Sequence, residues 1–600
     1  GLGKAPKDRD HDTYEHFNAT VDVMVVGGGI AGLAAAQAAG ERGARVLLVE
    51  QTADWGGRAV VDTPTIDGMV AQDWINNTLQ VLEKLPNVDL RTRCMGASVY
   101  DHGYALAYER LTDHAPDADG PRHRLWRVRA KQIVTATGAI ERPLSFAAND
   151  LPGVLLAAAV RDYVVNFGVS LGDRTVVVTN NDDAYRTAII LKQAGLEVPA
   201  IIDARTEVEG DLIDQARDLG IRVELGKGIA KAKGGKRVTG VAICAQAGEG
   251  AVLEEIACDC VAMSGGWSPV VHLWSHCGGK LNWDADRVMF RPDPERAPTS
   301  HDGQPFVITA GVANGHLFTA EAIGDGWAAG RQAAKAAGHT KRGGQAPVGE
   351  DAAEGPISPV WLMPQGASHA LRAKAWLDFQ NDVKVSDVQL AAQEGFESVE
   401  HTKRYTTLGM ATDQGKLSNI NGLAILSQSL NADIPNVGTT TFRPPYTPIS
   451  MASIAGVARD GLFQPLRKTP VSDWSNDHGA DNEPVGQWRR PFAYVRAGET
   501  VHDAVNREVK NTRENLGLLD ASTLGKLIVK GPDAGKFLDM MYTNLMSTLP
   551  IGKCRYGLMC SENGFLSDDG VVVRMSEDTW LCHTTTGGAE HIHAHMEDWL

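Results

Sequence analysis

The glycines at positions 27, 29 and 32 have the spacing in this chain that points most directly to chemistry. They stand in Gly27-Gly28-Gly29-Ile30-Ala31-Gly32. The apolar run Val21-Asp22-Val23-Met24-Val25-Val26 precedes them, and an Ala-rich stretch from about Ile30 to Arg42 follows. At a strand-to-helix turn of this kind the first glycine permits the tight turn and the second admits a pyrophosphate close to the backbone. The third lets helix and strand pack closely. The helix N-terminus adds free N–H groups and the positive end of its dipole. A second apolar run, Arg45-Val46-Leu47-Leu48-Val49-Glu50, closes a βαβ unit and ends on an acid. A carboxylate there accepts hydrogen bonds from a ribose and repels a 2′-phosphate. Gly27, Gly29, Ile30, Ala31, Gly32 and Glu50 therefore point to a bound dinucleotide, NAD or FAD rather than NADP.

Two further segments agree. Gln51-Thr52-Ala53-Asp54-Trp55-Gly56-Gly57-Arg58 follows the acid, and Ile133-Val134-Thr135-Ala136-Thr137-Gly138-Ala139 reads as a strand running into an Ala-Thr-Gly turn. Both resemble segments of the flavin disulfide reductase-like family over about residues 20–335. That resemblance implies that Gln51, Gly57, Arg58, Thr137 and Gly138 also line the dinucleotide.

A second βαβ pattern runs through a strand at 175–178, a helix at 184–194 and a strand at 198–202. Its turn, Thr179-Asn180-Asn181-Asp182-Asp183-Ala184, has no glycine. Phosphate approach is obstructed there and two carboxylates add repulsion, so this site reads as degenerate. Gly311-Val312-Ala313-Asn314 stands where flavoproteins of the family carry Gly-Asp, whose acid holds the flavin ribityl chain. A single NAD at the first turn is the economical reading, with FAD as the alternative.

These motifs need several domains to position them. Six hundred residues, at roughly 100–200 per domain, make about three to five. The expected organisation is α/β with two nested Rossmann-like units, a small helical domain and the start of an α+β domain. Residues 1–20 form a linker, 21–170 the first unit, 171–265 the second, and 266–340 a return to the first. Residues 338–368 form another linker, 369–430 a helical domain, 431–486 a Pro-rich connector and 487–600 the α+β domain. The strand 306–311 and the helix 317–337 belong to the return.

Acidic residues outnumber basic ones by 74 to 58, a net charge of −16, which argues against a nucleic-acid partner. No apolar run reaches membrane-spanning length. Eight scattered cysteines make no disulfide framework, and a reduced, cytoplasmic protein is expected. Cys258 and Cys260 would share one face of a strand as packing residues. Gly1 to Pro6 lack a Met and a signal core, and Glu597-Asp598-Trp599-Leu600 stops within an amphipathic pattern, as though the chain were cut from a longer protein.

Phe379 to Asp387 and Val399 to Gly415 resemble the small domain that carries a [2Fe–2S] cluster in related amine oxidoreductases. The family offers cysteines near positions 380 and 413, whereas residues 370–430 here contain none. A cluster and any other metal site are therefore not expected, and the domain reads as scaffold, with His401 structural. Asn515 to Lys526, Gly531-Pro532-Asp533-Ala534, Tyr542-Thr543-Asn544, Cys554 to Met559 and Asn563 to Val572 resemble the glycine-cleavage aminomethyltransferases, which bind tetrahydrofolate. The resemblance implies that Asp569 bonds the folate and steers proton transfer there, and that Tyr556 lines the pterin pocket.

The order of these pieces resembles the alpha-subunit family of the heterotetrameric sarcosine oxidases. The strings Ala136 to Pro143, Arg404 to Met410 and Thr441-Phe442-Arg443-Pro444-Pro445-Tyr446-Thr447-Pro448 strengthen the likeness. It implies a beta subunit carrying FAD and FMN, smaller gamma and delta subunits, and FMN shared at the alpha–beta interface. Sarcosine would be oxidised on the beta subunit, with peroxide formed at FMN. The one-carbon unit would pass to tetrahydrofolate on this chain or leave as formaldehyde. Two alternatives stay open: a self-sufficient FAD enzyme acting on another N-methyl or secondary amine, and a scaffold with a vestigial nucleotide.

Overall fold

A computed structural model describes residue 4 and residues 7–351 and 354–600. Apart from Lys4, the terminal segment Gly1 to Pro6 lies outside the described residues. The chain divides into two compact units, one of residues 21–453 and one of residues 1–20 with 454–600.

In the larger unit the Gly-rich turn joins the strand Tyr14–Val26 to the helix Ile30–Gly40, which leads to the strand Val46–Val49. The strands pair in parallel, Val23 opposite Val46 and Val26 opposite Val49, and Val46–Val49 pairs in parallel with Val88–Arg91. On the other side come His123–Thr135 and the antiparallel strands Tyr104–Arg110 and Cys94–Val99. Val307–Thr309 returns to pair with His123–Thr135, completing a seven-stranded sheet. The helix is buried almost throughout, because Thr319–Ala336 crosses its outer face. That crossing is close enough that a Cβ on Gly326 would stand 2.2 Å from the Ala31 carbonyl oxygen, and one on Gly330 would stand 2.1 Å from that of Ala35. Small residues on both helices let the backbones nearly touch.

The second nucleotide-type unit is a five-stranded parallel sheet in the order Val154–Leu156, Cys260–Ser264, Thr175–Thr179, Ile201–Asp203, Val223–Leu225. It takes its edge strand from before residue 171. The strand expected at 198–202 is Ile201–Asp203, and the helix expected to Arg42 stops at Gly40. Cys258 and Cys260 do not share a face. Cys258 precedes the strand and packs with Val261 and Met263, while Cys260 packs with Ala262 on the opposite side.

Residues 338–368 are more than a linker. Gly349–Glu350 pairs with Thr65–Ile66, and Trp361, Leu362 and Met363 are buried. The helices Val385–Gln393, Val399–Thr406 and Asn419–Leu430 form the helical region around Val388, Leu408 and Leu426, with His401 exposed.

In the smaller unit four antiparallel strands run in the order Gly525–Lys530, Thr579–Thr584, Leu566–Arg574, Cys554–Cys560. The helices Ala534–Met541 and Ala589–Glu597 pack with this sheet around Trp580, Leu538 and Ile592. The boundary expected at 486/487 falls inside a hairpin of Ala480–Val485 and Trp488–Tyr494. The expected N-terminal linker already enters a strand at Tyr14.

Candidate functional site

Gly27 has φ +107°, and a Cβ there would stand 2.3 Å from the Ala136 carbonyl oxygen. A Cβ on Gly32 would stand 1.8 Å from the Gly27 oxygen. Both glycines are demanded by backbone approach. Gly29 differs. It begins the helix with φ −69° and ψ 178°, and a Cβ built there meets nothing within 4 Å. It borders open space at a helix N-terminus, which is the cradle that a pyrophosphate fits. The loop after the acid folds over this turn: Gly56 N–H donates to the Gly28 oxygen at 2.8 Å, and a Cβ on Gly57, φ +55°, would lie 3.2 Å from the Gly29 Cα.

Gly27, Gly29, Ile30, Ala31, Glu50, Gln51, Gly57, Arg58, Thr137 and Gly138 line one cavity of about 1560 Å³. Gly32 stands behind it as a packing residue. Glu50 Oε2 accepts from Gly28 N–H at 2.7 Å and Oε1 from Thr52 N–H at 2.7 Å, so the acid also braces the turn. Thr137 Oγ1 donates to the Val270 oxygen at 2.6 Å. Arg58 lies 4.9 Å from the Trp267 ring and pairs with Asp62 at 3.1 Å and Asp162 at 3.5 Å. Burial pulls its guanidinium down, but Asp62, Asp183 and Asp162 outweigh that and hold it above its ordinary value. Arg58 is thus engaged by acids rather than presented free.

The acids of the second turn stand in ion pairs that its sequence did not show. Its carboxylates are neutralised: Asp182 by Arg205 at 2.7 Å, and Asp183 by the fully buried Arg161 at 3.1 Å. Repulsion by unpaired carboxylates therefore does not apply there, and the segment 355–358 bonds to the turn and to its Arg205 partner. Gly355 N–H donates to Asp182 Oδ2 at 2.6 Å, Arg205 donates to the Pro356 oxygen at 3.2 Å, and Asn180 Nδ2 donates to the Ser358 oxygen at 2.6 Å. Nearby, Glu141 Oε2 accepts from Ala158 N–H at 2.8 Å while Oε1 has no partner. Burial first, then Asp183, pushes this carboxyl up to about 7.

At the position of the missing flavin acid, Asp325 Oδ2 accepts from Gly311 N–H at 2.8 Å and from Asn314 Nδ2 at 3.2 Å. The helical region offers no cysteine, so its donor chemistry does not fit an iron–sulfur cluster. Lys416 of this region, with Tyr446 and Thr447 of the connector after it, borders the same cavity as the Gly-rich turn. The sequence reading missed this role, although Tyr446 and Thr447 lie in a string it singled out.

In the smaller unit Tyr556 OH donates to Asp569 Oδ2 in a short hydrogen bond between exposed side chains. The Asp569 hydrogen bond holds the phenol above its ordinary value. Asp569 borders a second cavity of about 410 Å³ beside Gly570, His583 and Thr585. Its neighbour Asp568 is buried and accepts from Thr585 N–H at 3.2 Å, so only the second acid of the pair is presented outward.

The fold and turn define a nucleotide domain of the oxidoreductase type. The pyridine nucleotide-disulphide oxidoreductase family model matches residues 21–288, the sarcosine oxidase A3 domain 372–457 and the GCVT N-terminal domain 471–600. The chain is 41% identical over its whole length to the sarcosine oxidase subunit alpha of Rhizobium meliloti (strain 1021), covering 59% of that protein. It is also 41% identical to that of Corynebacterium sp. (strain P-1), covering 62%. It thus spans about three-fifths of the length of these curated relatives. The L-proline dehydrogenase from P. horikoshii shares the fold at TM-score 0.55 and 20% identity, covering 75% of this chain and 82% of that one. Along its whole length this chain is similar to sarcosine oxidase alpha subunits. Among the described residues no helix is long and apolar enough to cross a membrane.

Proposed function

We propose that this chain acts as the alpha subunit of a cytoplasmic sarcosine oxidase complex. The observation that carries the reading is the run of three domain types, matched in order along a chain that is 41% identical throughout to sarcosine oxidase alpha subunits. The complex converts sarcosine, oxygen and water to glycine, formaldehyde and hydrogen peroxide, or passes the one-carbon unit to tetrahydrofolate as the 5,10-methylene form. Flavin held with the beta subunit, FAD there and FMN at the shared interface, supplies the two-electron oxidation of the substrate C–N bond. Gamma and delta subunits complete the assembly.

This chain's residues bind and orient. Gly29 and the helix N–H groups hold the pyrophosphate of one NAD, Glu50 takes a ribose hydroxyl, and Gly57, Thr137 and Gly138 wall the site. Asp569, which accepts a hydrogen bond from the Tyr556 hydroxyl, holds folate and moves a proton at its N10 side.

The test is sarcosine-dependent peroxide formation. The complex is expected to produce peroxide and the isolated chain none. Turnover by the isolated chain would overturn the assignment and place the catalytic flavin here.

A further inference from the structure

The nucleotide cavity is not walled by the Rossmann-like units alone. Lys416 of the cysteine-free helical region and Tyr446 and Thr447 of the connector after it border it together with Gly27 and Gly29. Lys416 Nζ donates to Thr447 Oγ1 at 3.1 Å and stands 4.2 Å from the centre of the Tyr446 ring. That ring is buried and fixed. It stacks on His272 with centroids 4.0 Å apart and planes 10° from parallel, and Phe442 meets it edge-on at 4.8 Å.

Nothing in this arrangement neutralises the ammonium. Its hydrogen bond runs to a hydroxyl and its other neighbour is an aromatic face, and no carboxylate among the described residues pairs with it. Asp413, whose charge acts on it, uses its own Oδ1 to accept from Gly415 N–H at 2.9 Å. Burial accordingly pulls the Lys416 amine below its ordinary value. A half-buried cation without a paired carboxylate is disfavoured, and an aromatic face compensates only partly. An oxyanion entering from the cavity supplies the missing partner. The volume, about 1560 Å³, exceeds the roughly 300–1000 Å³ of an ordinary ligand pocket.

Resting on the dinucleotide reading above, we infer that Lys416, seated on Tyr446 and Thr447, is the receptor for a nucleotide phosphate in this cavity. The helical region is then a working wall of the nucleotide site rather than scaffold alone. The phosphate has two candidate sources, the dinucleotide itself or a flavin mononucleotide sharing the cavity.

The experiment measures binding of NAD⁺, FMN and riboflavin to the full chain, stripped of nucleotide, by calorimetry. Wild type is compared with Lys416→Met, Lys416→Gln (which keeps the hydrogen bond to Thr447) and Lys416→Arg, all with thermal unfolding recorded. The expected result is at least a tenfold loss in both uncharged variants, for NAD⁺ or for FMN, with partial recovery in Lys416→Arg. Loss confined to NAD⁺ assigns the phosphate to the dinucleotide. Loss for FMN with riboflavin unchanged assigns it to the mononucleotide. Wild-type affinity for both ligands in folded Lys416→Met and Lys416→Gln would overturn the inference while leaving the dinucleotide reading intact. Failure of the wild type to bind either ligand would overturn both.

Discussion

Replacing Gly27 and Gly29 separately by alanine should have opposite consequences. At Gly27 a methyl would sit 2.3 Å from the Ala136 oxygen on a backbone with φ +107°. The strained dihedral costs about 1–3 kcal/mol and forced overpacking about 1–3 more. Gly27→Ala should therefore lose on the order of 2–6 kcal/mol, a large part of the roughly 5–15 kcal/mol a domain has. Gly29 has φ −69° and open space around the new methyl. There alanine narrows the unfolded ensemble and should stabilise the nucleotide-free chain by about 0.4–1 kcal/mol. The same methyl occupies the phosphate's place, so bound nucleotide should fall at least tenfold, about 1.4 kcal/mol. The assay is urea unfolding of nucleotide-free protein together with nucleotide content after purification. Full nucleotide content in Gly29→Ala would refute the phosphate cradle and favour a vestigial site. Wild-type stability in Gly27→Ala would refute the close approach to Ala136.

Other outcomes follow from the same structure. Glu141, pushed to about 7 against 4.5 unfolded, carries no penalty at low pH. As pH rises through this window the folded state loses up to about 3 kcal/mol. Glu141→Gln should therefore match wild type near pH 4.5 and be more stable at pH 8 in denaturant titrations; equal stability at both values would contradict the unsatisfied carboxyl. Arg161→Met leaves Asp183 without its buried partner at 3.1 Å and should destabilise by about 3–5 kcal/mol in the same assay. Gly326→Val, forced against the Ala31 oxygen, should lower the unfolding temperature and nucleotide content together, because the displaced helix carries the Gly-rich turn. In the complex, Asp569→Asn should weaken tetrahydrofolate binding about tenfold and leave sarcosine oxidation without folate unchanged.

The first turn was legible because each glycine has a local steric reason: a positive φ at Gly27, a backbone contact at Gly32, open space at Gly29. The difference between the two turns was legible in the glycines that the second one lacks. The partners of its acids were not, since Arg161, Arg205 and Gly355 come from other parts of the sequence. The same limit hid Lys416. Spacing exposes neighbours within one element, whereas Lys416 and Thr447 meet only through the packing of the helical region. Periodicity also misplaced Cys258, because the strand it would extend begins only at Cys260.

The account's central claim, one dinucleotide at the Gly27–Gly32 turn with oxidation chemistry on a partner, is tested most directly by releasing the nucleotide from the purified chain with acid. Mass and absorbance then identify it. NAD at one equivalent per chain without FAD is the predicted result. Stoichiometric FAD would contradict it and move the catalytic flavin onto this chain.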